Sequence, residues 1–518
     1  MAAEQDQTEA IAFLRSGAAF EVPGEAEVVE THGALVFLSG GEALKIKRAV
    51  RYDYMDLSTL ARREEMLRRE LALNTPGAPT IYRDVMPVTR EADGALALGG
   101  TGEPVEWVLR MRRFPKSAEL VEVAARGALD TPLSERLGRE IRDWHGRCEV
   151  RRAPGAKLIG DILDELAREF GGMGDALDPD RIARFDVAAR ADLARHADLL
   201  DARARAGHVR RAHGDLHLRN IVLIDGDPVL FDALEFDETL GTCDTLYDLA
   251  FLLMDLWQRG LDMQANAALG SYLLAAGGDE DAGTAALPLF QSVRAAIRAM
   301  VGVQAGRAQG AQDYPEARAY LDAALGFLAP APPVLIAVGG LSGTGKTGLA
   351  RALAPRLGAA PGAVHLRTDT ERKAMAQVAA SHSLDAGHYT ETARHRVYAR
   401  LAVRAATLLD AGRAVLLDAT FLDAGDRSTA EAIAREAGVP FAGLWLDAPA
   451  DTLLSRVAAR HGDASDADEA VLRRQLDRAA APSGWLRVDA TGAPDATLCR
   501  ACTALDRVET GVTPARDR

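Results

Sequence analysis

The stretch AHGDLHLRNIVL, residues 212–223, sets Asp215 five positions ahead of Asn220 and then runs into Ile221-Val222-Leu223. Aspartate and asparagine both supply hard oxygen donors. The apolar run continues as IVLIDGDPVLFDA, which reads as a short hairpin with Asp225-Gly226-Asp227 at its turn. Asp232 follows on the expected second strand, in VLFDALEF.

Upstream, ALVFLSGGEALKIK (34–47) alternates apolar and polar residues on both sides of Ser39-Gly40-Gly41, the pattern of another hairpin. Lys45 and Lys47 fall on one face of its second strand, because side chains alternate with a period of two. A helical pattern runs from about Ser58 to Asn74 and stops at Pro76-Gly77. It carries Glu70, with Glu65 as runner-up, as partner for one of those lysines. Strand-like patches follow at 81–88 and 105–111, and from about residue 117 the pattern is helical. Thr131-Pro132 reads as an N-cap and first helical residue, after which Leu133, Leu137, Ile141 and Trp144 recur at helical spacing. Helices are expected through 185–206 and again from 245 to 328.

The segment 329–333, Ala-Pro-Ala-Pro-Pro, excludes helix and sheet interior and divides the chain into 1–328, a linker, and 334–518. Beyond it VLIAVGG has the continuous apolar character of a buried parallel strand, and similar runs recur at 414–417 and 441–446 with helical stretches between. That alternation predicts an α/β domain with a parallel sheet. GGLSGTGKTGLA (339–350) follows the first run, and Gly340, Gly345, Lys346 and Thr347 match G-x-x-x-x-G-K-[ST] between strand and helix. Glycines let the loop, Ser342, Gly343 and Thr344 included, aim backbone N–H groups at phosphate oxygens. Lys346 reaches the β/γ-phosphates and the Thr347 hydroxyl meets Mg²⁺. Asp418, ending AVLLD, is a further carboxylate for that metal. Ala419 stands where many ATPases carry a water-activating glutamate, so transfer to a hydroxyl fits better than a motor. HLRTDTERKAM (365–375) adds Asp369 at the end of an expected strand 364–368, a candidate base. Arg372, one helical turn on, is placed to hold a phosphate or an anionic acceptor.

LSGTGKTGLARALA, RTDTERK, LLDATF and RVAARHGDASDAD together resemble the small P-loop kinases that include zeta-toxin-like, gluconate-kinase-like and polynucleotide 5′-kinase-like proteins, over residues 334–490. The resemblance implies that Asp369 is the catalytic base, that Arg372 contacts substrate, and that Arg456 and Arg460 begin a lid over the ATP phosphates. Protein kinases space their catalytic Asp and metal-binding Asn as Asp215 and Asn220 are spaced here. HGDLHLRN followed by VLFDALEFDE resembles the aminoglycoside-phosphotransferase and choline-kinase-like branch. On that reading Asp215 is the base, Asn220 and Asp232 bind Mg²⁺, and Lys45 or Lys47, paired with Glu70, holds the α/β-phosphates of ATP. The turn LSGGEA is shorter than the Gly-rich loop of protein kinases, which implies looser phosphate cover. The whole chain, with THGALVFLSGGEALKIKRAV and ELALN (70–74), resembles a group of bacterial fusion proteins. In these an α+β bilobal protein-kinase-like domain precedes an α/β P-loop domain. The resemblance implies two ATP sites in a bifunctional phosphotransferase acting on hydroxyl groups of small molecules.

The 518-residue chain has a formal net charge of -14, which argues against a nucleic-acid coat or a membrane-surface protein. No segment approaches the apolar length of a membrane span, and MAAEQDQTEA lacks the basic and apolar regions of a signal peptide. Four cysteines fit a reducing cytoplasm. Cys499 and Cys502 lack two further soft ligands and read as thiols of a terminal helix. Arg396, Arg400 and Arg404 form an i, i+4, i+8 stripe, read as a charged solvent face. Glu235, Asp237 and Glu238 read as capping or solvated acids, with attraction of a cationic acceptor as the alternative. His208, His213 and His217 fit no zinc-binding helix, and His213 reads as structural. Small-molecule acceptors are the expected partners. Two other functions stay open: a nucleotide-sensing regulator with one non-catalytic module, and a toxin-like kinase of a nucleotide sugar or RNA end.

Overall fold

A computed structural model describes residues 6–506 except 23, 32, 53–54, 379–381, 460–467 and 478–481. The chain packs as two compact units. One comprises Met1–Leu133, Asp143–Arg152 and Ala204–Leu249; the other comprises Ser134–Arg142, Ala153–Arg203 and Ala250–Arg518.

Six strands form an antiparallel sheet in the first unit, in the order Glu27–Glu30, Ala34–Ser39, Glu42–Lys47, Glu103–Arg112, Tyr82–Arg90, Leu96–Leu98. The expected first hairpin is there, with Val36 opposite Lys45 and Ala34 opposite Lys47. Alternation decides its faces. Leu44 and Ile46 are buried with Phe37, Val88 and Val108, which turns Lys45 and Lys47 to the other side of the sheet. The helix Leu60–Asn74 covers that side. Thr59 caps it, its side chain accepting from Arg62 N–H, and Leu67 packs with Ile81, Tyr82, Leu109, Val222 and Ile224. Strands Glu27–Glu30 and Leu96–Leu98 escape a sequence reading because four and three residues are too few to show a period.

The helix Thr131–Arg147 begins one residue earlier than its sequence suggests. Asp130, not Thr131, is the N-cap, and its carboxylate accepts from Leu133 N–H at 2.8 Å. Aspartate caps at least as well as threonine, and here its side chain reaches the third helical N–H. The second hairpin pairs Ile221–Ile224 with Asp227–Leu230. Asp225 (φ 54°) and Gly226 (φ 91°) are both left-handed, as a two-residue type I′ turn requires.

The second unit holds a five-stranded parallel sheet in the order Val364–Arg367, Val415–Asp418, Leu335–Gly340, Phe441–Asp447, Leu486–Asp489. Its central strand Leu335–Gly340 is buried at all six positions, which explains the unbroken apolar run. Ile336, Val338, Leu416 and Leu444 pack there against Leu349 and Leu353 of the following helix. Residues 330–334 carry neither helix nor strand. The helices Asp262–Ala275, Leu287–Ala308 and Pro315–Phe327 belong to this unit too. From the first of them Asn266 Nδ2 donates to the carbonyls of Pro361 (3.1 Å) and Ala363 (2.9 Å). Among the described residues no helix is long and apolar enough to cross a membrane.

Candidate functional site

In the first unit the loop after Val209–Arg211 hangs on a buried carboxylate. Asp248 accepts from the backbone N–H groups of His213 (3.1 Å) and Gly214 (2.8 Å), and its Oδ2 lies 3.1 Å from His145 Nε2. The His213 ring is held as well. Its Nε2 bonds the carbonyl of Phe231 at 2.9 Å, while Nδ1 accepts from Asp215 N–H at 3.4 Å. Burial pushes the imidazole below its ordinary value despite the nearby Asp248 and Asp215.

This scaffold brings Asp215 and Asn220 together. Asn220 Nδ2 donates to the Asp215 carbonyl at 2.9 Å and to its carboxylate at 3.0 Å, and His217 Nε2 lies 3.4 Å from the same carboxylate. Asp232 takes a left-handed conformation (φ 59°), with its N–H donating to the Tyr82 hydroxyl at 3.0 Å and the next N–H, of Ala233, donating to Asn74 Oδ1. A non-glycine residue held there costs on the order of 1 kcal/mol, and these two bonds fix it.

Glu70 pairs with both lysines. Its Oε1 meets Lys45 Nζ at 2.7 Å and its Oε2 meets Lys47 Nζ at 2.6 Å. The lysines differ in their second partner: Lys45 reaches Asp232 at 2.9 Å and Lys47 reaches Glu235. Burial pulls the Lys45 ammonium down, but Asp232, Glu70 and Glu235 outweigh it and hold it well above the ordinary lysine value. Desolvation raises the Asp232 carboxyl and Asp215 raises it further, yet Lys45 and Lys47 bring it below the usual range. Glu65, the runner-up, is exposed. Glu235 is neither a cap nor a solvated acid, since Lys47 needs a second counter-charge once buried. Asp237 does cap, accepting from Thr239 and Leu240 N–H, and Glu238 pairs with Arg151 and Arg211.

The second unit carries the P-loop. Gly340 (φ 136°) and Gly343 (φ 85°) sit where a Cβ would come within 2.6 Å of Leu446 O and 2.9 Å of Leu453 O, so only glycine lets the loop fold this tightly. Gly345 is left-handed and starts the helix Lys346–Leu353. Thr344 Oγ1 donates to Leu341 O at 2.8 Å, Lys346 Nζ reaches the same carbonyl at 2.9 Å, and Thr347 Oγ1 donates to Asp418 Oδ2 at 2.7 Å. Burial raises the Asp418 carboxyl, but the hydrogen bond from His365 (3.2 Å) and the charges of His365, Arg367 and Lys346 prevail and lower it to about 2. Asp369 lies in the helix Thr368–Met375 rather than on the strand, which ends at Arg367. Arg372 Nη1 donates to its Oδ1 at 2.9 Å, and the guanidinium stacks 4.8 Å from the Tyr389 ring centre. Lys346, Thr347, Asp369, Arg372 and Asp418 line one cleft of about 330 Å³, together with Ser342, Gly343, Gly345, Tyr389, Arg394, Tyr398 and Gln475.

Other assignments differ. Arg456 donates to the carbonyls of Ala490 (3.0 Å) and Gly492 (3.1 Å), just past the last strand, and does not line the cleft. Arg460 lies outside the described residues. The arginine stripe is not a solvent face: Arg396 is exposed, but Arg400 and Arg404 pair with Glu371 and Arg404 is buried. Gln475, whose Oε1 accepts from Ser342 N–H at 2.8 Å, was not foreseen, nor were Asp248, His145, His365 and Arg367. Asp248 had a signal, a lone carboxylate inside the apolar TLYDLAFLL. His365 and Arg367 also had one, as alternate polar positions on a strand leading into the motif.

Two family models match the chain: "Phosphotransferase enzyme family" over residues 130–287 and "AAA domain" over 335–482. Uncharacterized proteins of Mycobacterium tuberculosis and Mycobacterium bovis are 30% identical over 477 residues, covering 90% of this chain and 92% of theirs. Among solved structures, a choline/ethanolamine kinase family protein from Mesorhizobium loti is 17% identical with a TM-score of 0.39, covering 62% of this chain and 93% of its own. A gluconokinase from Sinorhizobium meliloti is 22% identical with a TM-score of 0.26, covering 34% and 93%.

Proposed function

The chain belongs to the family of the mycobacterial proteins, its own phosphotransferase-family match precedes its P-loop match, and on that premise we propose that it is a bifunctional, ATP-dependent phosphotransferase of the cytoplasm. Each module acts on a hydroxyl group of a small molecule. The observation that supports this best is a repeated arrangement: in each unit an aspartate stands beside oxygen ligands and a lysine placed for phosphate.

Bound ATP with Mg²⁺ supplies the γ-phosphoryl group and neutralises its charge. In the first module Lys45 holds phosphate oxygens, Glu70 orients Lys45, and Asn220 with Asp232 offers the oxygen donors that suit Mg²⁺. Asp215 takes the proton of the acceptor hydroxyl. In the second, the loop Gly340–Thr347 and Lys346 would receive the phosphates, and Thr347 with Asp418 would hold the metal. Asp418 stays ionised at neutral pH, since its carboxyl titrates at about 2. Asp369 is the base and Arg372 grips the acceptor.

The test is transfer of label from γ-labelled ATP into a metabolite extract by the wild type and by Asp215→Asn and Asp369→Asn. Each variant is expected to lose a different labelled product while still binding ATP. Unchanged products in both variants would count against phosphoryl transfer and in favour of a regulator.

A further inference from the structure

Glu371 lies between Asp369 and Arg372, yet its side chain is 1% exposed and points away from the cleft. Its two oxygens are taken by Arg404 Nη1 and by Arg400 Nε, the latter at 2.9 Å. Arg404 also grips Asp281 with two parallel bonds, Nε to Oδ2 at 2.7 Å and Nη2 to Oδ1 at 2.9 Å, and donates to Leu273 O at 3.2 Å. Arg400 Nη2 donates to Gly277 O at 2.7 Å. Leu273, Gly277 and Asp281 lie inside the phosphotransferase-family match, whereas Glu371, Arg400 and Arg404 lie inside the P-loop match. One buried chain of carboxylate, guanidinium and carboxylate thus ties the end of the phosphotransferase-family match to the P-loop match, within the second unit, and ends two residues from Asp369.

Such a chain is a poor way to gain stability, because stripping water from three charges offsets most of their attraction. What it does well is fix direction, since a planar fork accepts a carboxylate in one plane only. The helix Thr368–Met375 has eight residues, a length at which a helix depends on tertiary contacts rather than on its own stability. Residues two apart on a helix point about 200° from each other, so an anchor at Glu371 sets where Asp369 faces.

We propose that Asp281, Arg404 and Glu371 are positioning residues of the second site, through which the segment Leu273–Asp281 orients Asp369 and Arg372; this rests on Asp369 being the acceptor base. The second site builds its nucleotide side from residues after the Pro-rich segment, and its acceptor side takes its anchor from Leu273–Asp281, which precede that segment in sequence but belong to the same unit.

Hydrogen exchange on the full chain tests this without needing the acceptor. Asp281→Ala is expected to speed exchange across 368–375 by about tenfold. Exchange in 346–353, and the affinity of the Lys45→Met/Asp281→Ala chain for a fluorescent ATP analogue relative to Lys45→Met alone, stay within about twofold. Asp281→Glu restores the slow exchange. Arg404→Lys, which keeps the charge but cannot span both carboxylates, carries the same expectation should Asp281→Ala fail to fold. Unchanged exchange at 368–375 overturns the proposal, as does equal acceleration at 346–353, the mark of general loosening. If Asp369→Asn leaves transfer intact, the reading of Asp369 fails while the exchange result still stands for the bridge.

Discussion

His213 has both ring nitrogens committed, one donating to Phe231 O and the other accepting from Asp215 N–H, and only the neutral ring can do both. Its folded value lies below the ordinary 6.5, so the unfolded chain binds the proton first. Stability from this residue is therefore complete above that pH and is lost as pH falls through it toward the folded value. Urea unfolding at about pH 7.5 and pH 5.5 is expected to show a decline in the wild type that His213→Asn lacks. The two lysines separate by the same kind of reasoning. Lys47→Met leaves Glu235 buried without its partner and is expected to cost about 3 kcal/mol, read as a lower urea midpoint. Lys45→Met leaves Glu70 still paired with Lys47, so it is expected to weaken nucleotide binding at the first site, seen by titration in a Lys346→Met background, with a smaller loss of stability. Sequence narrowed this choice to two lysines and went no further, because both point the same way and the deciding partners lie 187 and 188 positions away.

Elements were legible where a local period or a local cap carried them. The alternation in 34–47 and the Thr59-capped helix fall where the pattern put them, and the P-loop sits between strand and helix because its glycines leave little choice. Gly343→Ala is expected to abolish nucleotide binding at the second site. Its Cβ would press on Leu453 O at 2.9 Å from a left-handed backbone, and titration of a Lys45→Met background checks it. Facing was harder to read than position. Arg400 and Arg404 have the spacing of a helix face, but spacing cannot tell a solvent face from one that meets Asp281, 123 positions away. Arg456 was misplaced for a related reason, since its partners are backbone carbonyls, which leave no trace in sequence.

At the scale of the whole molecule, composition marks where the chain changes character, at 329–333, while packing gathers residues 250–328 with the P-loop sheet. A proline-rich segment records a break in local structure. It holds no information about which surfaces bury one another, because that depends on contacts such as Asn266 to Pro361 and Ala363. The two candidate sites draw on separate lysines, so Asp215→Asn is expected to leave the product of the second site unchanged, as read by label transfer. The central claim is that one chain holds two nucleotide pockets, and calorimetric titration with a non-hydrolysable ATP analogue tests it most directly. Two equivalents per chain are expected for the wild type, one each for Lys45→Met and Lys346→Met, and none for the double variant; a single equivalent in the wild type, abolished by one of these substitutions alone, would contradict it.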